Sequence, residues 1–179
     1  MLPLVASLAT LIAAPIPAGL VSSLPVSHPA APTANAQTAA ASRCKTAGLV
    51  MWLNPEGSGT AGSFYYKLEF VNLSGRTCAL AGYPGVSAVS LSGRQIGASA
   101  KREVTGRPRT VTLPPEGDAT AIVHVVDVGA LPSSCRPTAT AGFRVYPPGE
   151  IASKVVPYPF RTCANPRERV ISVRALKRE

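Results

Sequence analysis

An imidazole does acid–base work only when a nucleophile and an orienting acid stand beside it. Of the two histidines in the chain, His28 falls in an apolar leader and His124 in the valine-rich run Asp118–Val128, DATAIVHVVDV. The period-two spacing of that run predicts a β-strand. Asp127, the nearest acid that follows His124, is then expected on the opposite face. No proton relay reads from the spacing, so His124 reads as a histidine at a sheet face or edge. The carboxylates form no retaining or inverting pair. Lys67 and Glu69 share a predicted face with Tyr65 and read as its solvated side. Tyr65, Tyr83, Tyr146 and Tyr158 could line a carbohydrate- or peptide-binding surface. Tyr83 follows a turn, where a tyrosine more often packs a corner of a β-sandwich. No glycine pattern cradles a phosphate, so neither nucleotide nor cofactor is expected. Asn72-Leu73-Ser74 is a formal glycosylation sequon, but asparagine is also what a turn selects at that place.

Cys44, Cys78, Cys135 and Cys163 are the four cysteines. An even number in an exported chain reads as disulfides. None shows C-x-x-C spacing and only His124 could join them, so no metal site is expected. Three pairings are open. Cys44–Cys78 with Cys135–Cys163 is the preferred one, because each bridge closes a modest loop and staples one half of the domain.

The third chemistry is charge. Eighteen basic and nine acidic residues leave a formal charge of +9. The cations fall in two groups: Lys101, Arg102, Arg107 and Arg109, then Arg167, Arg169, Arg174, Lys177 and Arg178. Brought together they would make an electropositive patch for an anionic polymer of the cell envelope or an envelope protein. Nucleic acid is a poor partner for a chain with an export signal and no stacking-aromatic motif.

These residues need positions, and the rest of the chain must supply them. Residues 1–36 read as a secretory signal, cut after Ala36 within Ala34-Asn35-Ala36-Gln37. No basic n-region precedes the apolar stretch, which points to an upstream start or a weak signal. Prolines at 3, 15 and 17 argue against a membrane-spanning helix. No cysteine lies near the cut, so a lipid anchor is not expected and the address is secreted or envelope-associated. Residues 37–42 read as a flexible linker and 43–179 as one domain.

Within it, Phe64, Tyr66, Leu68 and Phe70 alternate with Tyr65, Lys67, Glu69 and Val71, the strongest strand signal in the chain. Gly48–Leu53 predicts a strand before it, ended by a polar turn at Asn54–Gly59. Val86–Leu91, Gln95–Ala98, Thr110–Leu113, Ala141–Tyr146, Ile151–Val156 and Val170–Ala175 supply further strands. Ala100–Arg109 reads as a solvated connection, and Cys135 and Cys163 as loop residues. About seven to nine short strands separated by Pro and Gly turns predict an all-β antiparallel β-sandwich.

The stretch Asn72-Leu-Ser-Gly-Arg-Thr-Cys-Ala-Leu-Ala-Gly-Tyr-Pro-Gly-Val resembles a family of exported actinobacterial proteins and lipoproteins, domain of unknown function 4232. An opening cysteine, Gln95-Ile-Gly, Val111-Thr-Leu-Pro-Pro-Glu-Gly and a late cysteine pair extend the resemblance over Arg43 to Ala175. It implies an immunoglobulin-like sandwich, exported and disulfide-bonded, and implies no activity. Many relatives carry a lipid-attachment cysteine, which this chain does not show. The expected function is a non-enzymatic binding or structural module of the envelope. The alternatives are a hydrolase or transferase with an unrecognised site, or a secreted inhibitor presenting a loop such as Asn54–Gly62.

Overall fold

A computed structural model describes residues 40–178, so the expected leader, its cut after Ala36 and residues 37–39 lie outside the described part. Ser42, at the end of the expected linker, already accepts a backbone bond from Ala79 at 2.8 Å.

Thirteen strands follow: β1 Leu49–Thr60, β2 Ser63–Asn72, β3 Cys78–Ala81, β4 Gly85–Val89, β5 Gln95–Ile96, β6 Lys101–Glu103 and β7 Thr110–Leu113. Then come β8 Asp118–Val126, β9 Pro137–Ala139, β10 Gly142–Tyr146, β11 Lys154–Pro157, β12 Arg161–Cys163 and β13 Ile171–Arg174. Three single 3-10 turns are the only helical residues among those described. The chain is all-β. The strands outnumber the expected seven to nine because β6, β9 and β12, three residues each, were not legible as strands. So short a run leaves no periodic signature.

The larger sheet runs β1-β2-β8-β13-β6 and a second runs β11-β10-β4-β5. Two-stranded sheets β3-β7 and β9-β12 complete the architecture. Tyr66, Leu68 and Phe70 of β2 are buried, as are Ala119, Ala121, Val123 and Val125 of β8. They share one apolar cluster with Val86, Phe143, Val145 and Val156 of the second sheet. The alternation read from sequence thus sets the inner face of the larger sheet, and Tyr65, Lys67, His124 and Ser172 fall on its outer face.

Both disulfides pair as preferred, Cys44 with Cys78 and Cys135 with Cys163. Each clips one of the small sheets. Cys78 opens β3, and Cys163 of β12 lies opposite Pro137, two residues after Cys135.

Three local expectations are corrected, and of the two readings of Asn72 the structure supports the turn. The polar turn at Asn54–Gly59 is strand, because the ladder to β2 resumes at Ser58–Tyr65 after a register shift, and the chain reverses only after Thr60. The segment Asn54–Gly62 offered for an inhibitor is thereby the end of a hairpin, with residues 58–62 exposed. Cys163 lies in β12 rather than a loop. The connection Ala100–Arg109 contains β6, and β6 pairs with β13 in parallel, so the architecture is not purely antiparallel. Asn72 is wholly buried, and its amide donates to the carbonyls of Arg76, Leu113 and Pro114 at 2.8–3.0 Å. Its Oδ1 accepts from Ser74 N–H and Oγ–H. The sequon asparagine is therefore a turn anchor, with its amide turned inward.

Candidate functional site

The parallel pairing of β6 with β13 is what builds the site. Its register sets Lys101 beside Ser172, Arg102 beside Val173 and Glu103 beside Arg174. Residues far apart in the sequence thereby meet on the outer face of the larger sheet.

Glu103 is the hub. Ser172 Oγ–H donates to its Oε1, and Arg174 Nε–H donates to its Oε2 at 2.9 Å. His124 Nδ1 stands 3.3 Å from Glu103 Oε1 and 3.1 Å from Ser172 Oγ. Tyr65 stacks on the imidazole at 4.5 Å, and the Arg174 guanidinium lies 5.8 Å above the Tyr65 ring. The Ser172 hydroxyl first, then Arg174 and the His124 charge, hold the Glu103 carboxyl below the usual carboxylate range against partial burial.

A serine, a histidine and a glutamate in contact invite a nucleophile reading, and the geometry argues against it. A relay uses opposite ring nitrogens for the acid and the nucleophile. Here Ser172 and Glu103 share Nδ1, while Nε2 is buried and has no partner among the described residues. The serine hydrogen points to the carboxylate instead of an imidazole base. The cluster can position Arg174 and fix β6. Asp127 is occupied elsewhere, accepting from Gly129 N–H at 2.9 Å.

Around this hub lie two basic clefts. The larger, about 700 Å³, is lined by Arg107 and Arg109 from the segment after β6 and by Arg174, Lys177 and Arg178 from the chain end. Thr110 and Thr112 of β7 border it, and Thr120 and Ile122 of β8 lie beneath. None of its lining residues among those described is acidic. β7 exposes these two threonines because Val111 and Leu113 alternate into the core. The chain end is held down by backbone bonds between Thr120 and Lys177, both 2.9 Å. An adjoining cleft of about 480 Å³ takes Lys101, Arg102 and Arg169 together with Glu103, His124 and Ser172. Eight of the nine cations singled out from sequence therefore line one cleft or the other, and Arg167 lines neither.

The tyrosines do not share a surface. Tyr65 belongs to the histidine cluster, and Tyr83 lies under Arg102 at 5.7 Å. Tyr146 packs beside Gly85, and Tyr158 meets Tyr66 edge-on at 4.9 Å. Burial and the Tyr158 hydrogen bond push the Tyr66 phenol well above its ordinary value. Among the described residues no group of three His, Cys, Asp or Glu is arranged to hold a metal ion.

Glu103 and Ser172 were not singled out by sequence. The run Lys101-Arg102-Glu103 looks like any solvated charge cluster, and only tertiary pairing reveals its partner strand.

A family model described as Domain of unknown function (DUF4232) matches residues 44–176. No curated protein and no solved structure matches the chain.

Proposed function

The chain belongs to the Domain of unknown function (DUF4232) family, and from there we propose an extracytoplasmic, non-enzymatic module that holds an anionic polymer of the cell envelope in its basic cleft. One observation carries the reading. Five cations from two distant segments line a single concavity with no acidic residue among its described walls. Arg174 is held by Glu103, while Arg107, Arg109, Lys177 and Arg178 repel one another, and a fold that gathers them gains most when an anion fills the space between. The two disulfides support an oxidising, extracytoplasmic address. Residues 1–36 are read as the secretory leader that delivers the domain there, in an actinobacterial envelope. The two larger sheets are read as the facing layers of an immunoglobulin-like sandwich, on the ground that their buried residues form one cluster.

The test is binding of the purified oxidised protein to isolated envelope material across a salt series. Retention should fall steeply as ionic strength rises, because each contact is an exposed ion pair. Arg107→Ala combined with Arg109→Ala and Arg178→Ala should abolish it without changing the circular dichroism spectrum. Salt-independent retention, or none at low salt, would overturn the proposal.

A further inference from the structure

Resting on that polyanion reading, we propose that the larger cleft recognises phosphodiester groups in preference to carboxylates, so that its ligand is a phosphodiester-linked wall polymer. Three features of the cleft argue for this chemistry. Its cations are mostly arginines: Arg107, Arg109, Arg174 and Arg178, against one lysine, Lys177. Guanidinium forks match the paired oxygens of phosphate and carboxylate alike, and better than an ammonium does, so this feature selects an oxyanion and the placement of the donors selects among oxyanions. Next, the donors come from two separate stretches of chain, residues 105–112 and 174–178, across a floor made by β8. A carboxylate is planar and presents two oxygens to one side. A phosphodiester is a link of the backbone itself, and its two non-ester oxygens diverge to either side of the chain, so one group can meet donors from both stretches. Finally, the exposed Thr110 and Thr112 add neutral hydroxyl donors beside the arginines. Phosphate oxygens have lone pairs to spare for them.

A concave site of about 700 Å³ suits a chain of separate charged groups threading through it. A planar membrane surface would meet the rims and leave the floor untouched.

The experiment titrates the purified oxidised protein with synthetic poly(glycerol phosphate) and, at matched charge, with polygalacturonate. The expected result is binding of the phosphate polymer tighter by about tenfold, the worth of one additional charge-assisted hydrogen bond. A double-mutant cycle then pairs Arg109→Ala with Lys177→Ala. If one phosphate bridges the two stretches, the losses are strongly non-additive for poly(glycerol phosphate) and multiply for polygalacturonate. Both residues are exposed, and circular dichroism checks that the variants fold. Equal affinity for the two polymers, with losses that multiply in both, would overturn the phosphate preference while leaving the polyanion reading intact. Binding of neither polymer would overturn both. Tighter binding of a single-stranded oligonucleotide than of poly(glycerol phosphate) would overturn the wall polymer as the source of the phosphate. Binding to vesicles of phosphatidylglycerol with none to the soluble polymer would overturn it equally.

Discussion

Removing the Asn72 amide would leave the carbonyls of Arg76, Leu113 and Pro114 without their donor at the junction of β2, β3 and β7. Asn72→Ala is expected to cost about 3 kcal/mol, since each unsatisfied buried polar group costs on the order of 1–3 kcal/mol. Urea denaturation measures it, and a loss near zero would contradict the anchoring role. Glu103 sets a second expectation. Its folded pKa lies below the unfolded one, so its contribution is fully present above the unfolded value and drains away as pH falls through the folded one. Thermal midpoints should decline on acidification below about pH 4, and Glu103→Gln should flatten part of that decline. An unchanged profile in the variant would remove Glu103 as the hub. At this scale the sequence was half legible. His124, the cysteines and the cations could be picked out by type. Glu103 and Ser172 could not, because their meaning lies in contacts made across the sheet.

Among elements, the long alternating strands and even short β5 and β7 were readable, and the three-residue β6, β9 and β12 were not. Tyr66, Leu68 and Phe70 announce β2 because burial on one face selects them. Residues 54–60 carry Pro, Gly and Ser and spell a turn, yet the ladder from β2 carries β1 through to Thr60. Tertiary pairing overrides local propensity there. β6 is legible only once β13 is beside it, which is also why the union of the two basic groups could be proposed from sequence but not located. Gly97 shows how tightly the short elements are fitted. Its φ is +65°, and a Cβ there would run into the carbonyl oxygen of Cys163. Gly97→Ala should therefore destabilise the fold by about 2 kcal/mol or more, read as a lowered denaturation midpoint. A neutral outcome would mean that β5 and β12 can part without cost.

For the molecule as a whole, the two large sheets supply most of the apolar core, β3 and β7 add Leu80, Val111 and Leu113 to it, and disulfides clip the two small sheets in place. A two-stranded sheet is marginal alone, so each bridge is expected to contribute on the order of 3 kcal/mol. Cys44→Ala with Cys78→Ala should lower the thermal midpoint and loosen β3 and β7 first. Hydrogen exchange resolves the order, and uniform loss of protection across all four sheets would contradict it.

β7 is also a wall of the larger cleft, and the sheet it belongs to is tied to the chain's beginning through Cys44–Cys78. Whoever produces this protein in a thiol-rich cytosol should then obtain material with its two large sheets in place and a slack binding face. Such a preparation would keep the circular dichroism of a β protein, betray itself only by a lowered thermal midpoint, and be filed as inert.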